Sequence, residues 1–336
     1  MSQIAAAGAF KLKRLAALAF LFAAGAVFSS DCRAQLPQQG QIWKEYNIAS
    51  YTQGVTNTSR PEQTVMDAIL RQTGHQAWCG EIPGMLNVGP QSVRVYHTPE
   101  MQQQVEAIIN QYLQAGSKTV SWQFRVMTVN NPAWRTRAVS FLRAAETQSP
   151  GTSAWILSGA DVPALMQILQ DRNDFQQVNS PQVTMHNGQP ATINLTHPRN
   201  YIRGIYADPD RNAGFRPAEG LIEEGCKIEF TPLVSADGKT IDAVVETHID
   251  NIEKVYDVNL PFNSNRPGAP RSVKVQVPRI DQYRFQERFI WAADRALLIS
   301  LGITPSPIPE RGSLAPGLPL FGAERVETLI LILKQP

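Results

Sequence analysis

Glu224-Gly225-Cys226-Lys227-Ile228-Glu229-Phe230-Thr231-Pro232 runs through Asp237-Gly238 into Thr240-Ile241-Asp242-Ala243-Val244-Val245. Side chains alternate across a strand, so Cys226, Ile228 and Phe230 share one face while Lys227, Glu229 and Thr231 share the other. Asp-Gly supplies the positive-φ residues of a tight hairpin turn. The returning strand repeats the pattern, its acids alternating with apolar residues. Asp242, Glu246 and Asp250 form a row that reads as a solvated strand face.

The same signature recurs from Lys118 onward. Val120, Trp122, Phe124 and Val126 alternate with polar residues. Val183-Thr184-Met185 meets Ala191-Thr192-Ile193-Asn194-Leu195 across Asn187-Gly188, which predicts a second hairpin. Tyr283, Phe285, Phe289 and Trp291 line one face of a long strand that Glu287 interrupts. Asp294-Arg295 turns that strand into Ala296–Ile299, and Thr328–Leu333 forms a last apolar strand expected to be buried by neighbouring subunits. One helix interrupts the series, opened by Asp161-Val162-Pro163, with Val162, Leu165, Met166 and Leu169 on one face. The segments 203–220, 261–272 and Ile303–Pro319 are rich in Gly, Pro, Asn and Asp and predict loops.

Glu45 to Leu113 reads as a compact α/β unit. Tyr46-Asn47-Ile48, Ala77–Cys79, Leu86–Val88 and Ser92–Tyr96 predict short strands. Thr64–Leu70 carries Val65, Met66, Ile69 and Leu70 at helical spacing, ended by Gly74. Thr98-Pro99-Glu100 opens a second helix with a cap, a proline in the first turn and an acid at the positive end of the dipole. Val105, Ile108, Ile109 and Tyr112 form its stripe, and Gly116 stops it. The class is therefore α+β, with a small α/β unit at 45–116 and a mainly β region at 118–336.

Length and composition bound the rest. A chain of 336 residues, 43% hydrophobic and 18% charged, suits two folded domains and excludes global disorder. Three cysteines exclude a disulfide-built miniprotein. Lys11, Lys13 and Arg14 precede the apolar run Leu15–Phe28, and Ser29–Ala34 follows it, the pattern of a secretory signal peptide over 1–34 cut after Ala34. An uncleaved anchor is the alternative, although the run is short for a span. Residues 35–44 read as a flexible lead. The segment 1–34 carries a net charge of +3 out of +2 for the whole chain, so the remainder is near −1. No basic surface remains to hold nucleic acid. Cys79 and Cys226 can pair in an oxidising compartment or stand as two separate buried thiols, the blander reading.

No catalytic signature is present. His75, His97, His186, His197 and His248 show no zinc-ligand spacing, and there is no Cys-x-x-Cys, nucleophile elbow, dinucleotide fingerprint or P-loop. Asp208, Asp210, Asn212 and Glu219 match a calcium-loop spacing, but Ala213 replaces the required glycine and Pro209 sits inside. A polar surface loop accounts for them. No catalytic, cofactor-binding or metal-binding residue is assigned, and an enzyme with a site assembled in three dimensions is the remotest reading.

The order of elements in the β region resembles one family, the bacterial secretins of type II and type III secretion systems and type IV pili. Leu165–Leu169, then Asn179-Ser180-Pro181-Gln182-Val183-Thr184 and Asn187–Ile193, is similar to their helix, Ser-Pro strand and first hairpin. Glu224–Pro232 with Asp237-Gly238 resembles their second hairpin. Asp294–Gly302 and Pro319-Leu320-Phe321-Gly322 before Glu327–Leu333 resemble their closing elements. Arg295 and Leu301 replace glycines of that pattern. The unit at 45–116 is similar to the periplasmic domains that precede secretin cores.

The resemblance implies a small periplasmic α/β ring-building domain, then a secretin β core giving strands to an oligomeric β-barrel pore. It implies export, residence in the outer membrane or periplasm, and no catalysis or cofactor. The implied partners are further copies of the chain in a homo-oligomeric ring, other secretion or pilus proteins and the outer membrane. Ile193–Pro209 and Leu221–Asp250 take the position of the gate, and Gly302–Gly322 that of the membrane lip. That lip is Pro-rich with few long apolar residues, which leaves a second reading open, a periplasmic scaffold or binding protein that never inserts.

Overall fold

The computed structural model describes residues 40–56, 58–80, 82–116, 118–207, 215–261, 272–308 and 325–335. The signal-peptide segment, the calcium-like residues Asp208–Asn212, most of the second loop and most of the lip lie outside them. Fourteen strands and six helices make the described chain mainly β.

The first unit comprises β1 (Ile42–Asn47), α1 (Ala49–Thr52), α2 (Pro61–Thr73), α3 (Gln76–Cys79), β2 (Met85–Val88), β3 (Ser92–His97) and α4 (Pro99–Ala115). Its antiparallel sheet has the order β1-β3-β2. The amphipathic stripes of α2 and α4 bury Val65, Ile69, Val105 and Ile109 against Tyr46, Val93 and Val95. Thr98 Oγ1 accepts the Met101 N–H at 3.4 Å, and Gly116, at φ 65°, ends α4 as its sequence requires.

The β region continues with β4 (Thr119–Val129), α5 (Trp134–Ala138), β5 (Arg143–Ala145), β6 (Ser153–Ser158), α6 (Val162–Gln170), β7 (Gln176–Asn179), β8 (Gln182–His186), β9 (Ala191–Ala207), β10 (Phe215–Val234), β11 (Thr240–Pro261), β12 (Ser272–Ala292), β13 (Arg295–Pro305) and β14 (Arg325–Lys334). Two sheets result. One has the order β5-β6-β13-β14-β4-β7, with β8 also pairing β4; the other is the antiparallel meander β12-β11-β10-β9. Their inner faces pack as a sandwich, with Trp122, Phe124, Ile330 and Ile332 from the first meeting Ile228, Phe230, Val245 and Phe289 from the second. Edge-to-face contacts of Phe230 with Trp122 and Phe124 join the layers. α5 and α6 cover the outer face of the first sheet through Trp134, Leu165 and Leu169.

A buried polar cluster ties α5 to the sheet. Glu327 on β14 accepts bonds from the Trp134 indole N–H (2.9 Å) and the Ser300 hydroxyl (2.6 Å), and it pairs with Arg135. The Arg135 guanidinium also lies 5.0 Å from the Trp155 ring centroid.

Several expectations are corrected. The Asn187-Gly188 turn closes no hairpin, because β8 pairs with β4 and β9 with β10. The Asn187 carboxamide instead bonds both backbone groups of Val234, at 2.8 and 2.7 Å, and the Gly188 N–H reaches Pro232 O at 2.7 Å. The turn thus carries the chain from one sheet to the other. It also docks the first unit: Gln189 donates to Tyr51 Oη (2.7 Å), Thr64 donates to Gln189 Oε1 (3.2 Å), and Tyr51 donates to Asn187 O (3.1 Å). Gly188, at φ 78°, sits where a β-carbon would meet Tyr112 and Tyr51 at 2.8 Å.

Ala77–Cys79 belongs to a helical turn rather than a strand. That turn buries Trp78 edge-on to His97 and lets its indole N–H donate to Thr73 at 2.7 Å. The expected lead is strand from Ile42, since β1 pairs with β3 along its length. Residues 203–207 and 215–220 are paired strand rather than loop, with the Tyr201 ring covering Gly220. The β14 strand is buried by its own chain, between β13 and β4, rather than by neighbouring subunits. Cys79 is exposed and Cys226 buried; both are free thiols.

Candidate functional site

The four strands β9 to β12 contain 17, 20, 22 and 21 residues, far more than the sandwich covers. The β10–β11 ladder begins after Asp237-Gly238 at Val234↔Ile241 and ends at Gly225↔Asp250. The β9–β10 ladder continues to Ala207↔Phe215, and the β11–β12 ladder to Pro261↔Ser272. Beyond the Gly225 fork the sheet therefore splits into two arms. At 3.2–3.4 Å per residue, about ten residues make each arm roughly 30 Å long.

The fork has a local chemical cause. Gly225 has φ 131°, and a β-carbon there would strike the Leu195 carbonyl oxygen and lie 3.0 Å from Thr196 Cα. The side chain of Glu224 is buried, and its Oε1 accepts the Ile252 N–H at 3.1 Å. A carboxylate thus satisfies a backbone donor at the point where the neighbouring ladder stops. Arg199 Nη1 stands 3.7 Å from the other carboxylate oxygen. The β11 register slips between Ile252 and Lys254, and the buried Asn251 amide donates to Ser306 O at 3.0 Å, fastening the fork to the chain just past β13.

The arms are amphipathic. On the β11–β12 arm, Tyr256, Val258 and Leu260 face their register partners Val277, Val275 and Val273, while Asp257 and Asn259 face Gln276 and Lys274. Tyr206, Leu221, Tyr256, Val258, Leu260 and Val277 are exposed, whereas Ala218, Val273 and Val275 are buried. β12 lies alongside β9 in the arms, and the Ile202 N–H donates to Gln276 Oε1 at 2.9 Å, although no ladder joins the two strands among the described residues.

Charge is ordered along the second hairpin. Acids on β11 pair with bases on β12: Asp242 with Arg288 (2.6 Å), Asp250 with Arg284 (2.7 Å), Glu253 with Arg279 (2.6 Å) and Asp257 with Lys274 (2.8 Å). Partly exposed pairs of this kind contribute little stability, but they oppose a slipped register. The hydrogen bonds that Arg288 donates to the Asp242 carboxylate hold the guanidinium pKa above its ordinary value. Glu287, the acid that interrupts the apolar row of β12, accepts the Gln148 and Ser149 N–H groups and the Ser149 hydroxyl.

Much of the expected gate is fixed. Ile193, Cys226, Ile228, Phe230 and Val245 lie in the sandwich core, so only the parts beyond the fork stand clear of it. Gly302–Pro305 of the expected lip are the end of β13, and the structure describes the lip only to Ile308. Glu224, Asn251 and Gln276 escaped the sequence reading. Gly225, set between Glu224 and an apolar alternation, was the available signal for an irregularity in β10, where the β10–β11 ladder ends. Among the described residues no three His, Cys, Asp or Glu side chains converge as a metal site, and no helix is long and apolar enough to cross a membrane. Among the described residues the outer edges of β9 and β12 in the arms carry no ladder partner.

No family model and no curated protein sequence matches the chain. Solved structures similar to it are secretins. One is the Salmonella SPI-1 type III secretion injectisome secretin InvG, at 14% identity over 89% of this chain and 88% of that one, with a TM-score of 0.30. Another is the type II secretin GspD of enteropathogenic Escherichia coli, at 11% identity over 88% of this chain and 87% of that one, with a TM-score of 0.25. Aeromonas hydrophila ExeD is a third, at 8% identity over 87% of this chain and 60% of that one, with a TM-score of 0.26.

Proposed function

We propose that this chain is a secretin-like subunit of an oligomeric outer-membrane channel for protein secretion or pilus export, and that it performs no chemistry. The observation that carries this reading is the four-stranded meander. Among the described residues its outer strands β9 and β12 have no ladder partner on their outer edges, and both are long. An even number of antiparallel strands lets β12 of one copy pair antiparallel with β9 of the next, so the pattern repeats around a ring and leaves no edge. The apolar and polar faces of the β11–β12 arm suit a wall with lipid or protein on one side and water on the other. The unit at 45–116 serves as a periplasmic ring-building domain, and the segment 1–34 as the export signal. Partners are further copies of the chain and other proteins of the machine.

A second reading is favoured by β12 lying alongside β9 within one chain. In it the arms stay folded on themselves and the protein is a periplasmic scaffold. Fractionation of the cell envelope followed by planar-bilayer recording separates the two. Recovery with outer membranes and discrete conductance steps support the channel. Recovery in the soluble periplasmic fraction, with silent bilayers, supports the scaffold.

A further inference from the structure

We propose that the unassembled chain clasps its own sheet edges together, Gln276 of β12 holding the backbone of β9 at Ile202, so that the two edges a second copy would pair with are occupied by each other until the clasp opens. The inference rests on the ring reading above and adds a restraint on when the ring forms.

Three observations meet at this seam. The Ile202 N–H, a donor on the outer edge of β9, is taken by Gln276 Oε1 at 2.9 Å. The Gln276 amide is oriented for that role, because its Nε2 donates to Asp257 Oδ1 at 3.4 Å, and Asp257 is itself held by Lys274 at 2.8 Å. Ala218, Val273 and Val275 are buried although their arms extend past the sandwich, so the approach of the arms covers apolar surface.

At the other end of the arms Glu224 takes the Ile252 N–H, and β10 and β11 share no ladder beyond Gly225↔Asp250. The closed form thus exchanges a possible β10–β11 ladder for a β9–β12 seam. Opening the seam frees β12 and β9 for neighbouring copies. Side chains close the seam, not a ladder, so few bonds must break. Long open edges invite premature pairing, and a side-chain clasp is one way to blunt them.

The test uses the full chain in dodecyl maltoside, with particle mass followed by mass photometry. Cys32→Ser and Cys79→Ser remove the thiol outside the described residues and the exposed one, and Cys226 is buried out of reach of a maleimide. On that background Ile202→Cys with Gln276→Cys is studied before and after a short bis-maleimide cross-link, beside Gln276→Val alone. One neutral hydrogen bond is worth about a fivefold change in equilibrium. Gln276→Val and the uncross-linked pair should therefore assemble about fivefold faster than the parent, while the cross-linked pair stays a single chain. Assembly of the cross-linked pair at the parent's rate, or of Gln276→Val at that rate, overturns the clasp and leaves the ring reading standing. If the parent and every variant remain single chains, the ring reading fails and the clasp with it.

Discussion

Gly225→Ala tests whether the fork is built by a backbone that only glycine adopts. At φ 131° any other residue carries local strain of about 1–3 kcal/mol. The added β-carbon also strikes the Leu195 carbonyl oxygen and stands 3.0 Å from Thr196 Cα. Both are backbone atoms of a paired strand, which cannot swing aside as a side chain can, so overpacking adds about 1–3 kcal/mol. Restriction of the unfolded chain returns about 0.4–1 kcal/mol. The expected loss is thus about 1–6 kcal/mol out of a typical total of about 5–15. Gly238→Ala is the control. It too has positive φ, 71°, but no atom lies within 4 Å of its β-carbon, so only the strain of about 1–2 kcal/mol remains, less the same return from the unfolded chain. Urea unfolding, followed by tryptophan fluorescence, to which Trp122 and Trp291 of the sandwich core contribute, measures both. A Gly225→Ala loss no larger than that of Gly238→Ala refutes the reasoning.

Other outcomes follow from the same geometry. Glu327→Ala leaves the Trp134 indole, the Ser300 hydroxyl and Arg135 without their shared buried acceptor. It should cost about 3–5 kcal/mol in urea titration, and a loss below about 1 contradicts that role. Gln189→Ala removes the bonds to Tyr51 and Thr64, at about 1 kcal/mol each, and should make the first unit melt ahead of the sandwich in calorimetry. An unchanged single transition speaks against the joint. Burial pushes the Cys226 thiol from 9.0 up to about 12 and the Tyr283 hydroxyl from 10.0 up to about 12. The folded chain keeps these protons where the unfolded chain releases them. Their contribution is therefore complete below pH 9 and lost as pH rises through about 12. Stability should fall over that window, and a maleimide should label Cys79 while sparing Cys226; equal labelling of the two refutes the burial.

Local patterns were legible where neighbours in sequence carry the signal. The alternation Trp122-Phe124-Val126 is strand β4, Asp237-Gly238 is the β10–β11 turn, and Thr98-Pro99 opens α4. Asn187-Gly188 was misread because its turn chemistry is local while its partners are not. The Asn187 carboxamide bonds Val234, and the next residue, Gln189, bonds Tyr51 in another unit. α5 was missed because a short helix held by Glu327 has no periodicity to read. The fork lay hidden for a related reason. Gly225 marks the end of the β10–β11 ladder, but the bonds that shape the fork, from Ile252 to Glu224 and from Asn251 to Ser306, join segments far apart in the chain. The Gln276 clasp is likewise one polar side chain among many on solvated strand faces.

Imaging of the assembled protein tests the central claim most directly. The full chain, extracted from envelope membranes in mild detergent and viewed by negative-stain electron microscopy, should appear as closed rings around a central channel. Single chains or open, irregular clusters under the same conditions would contradict the account.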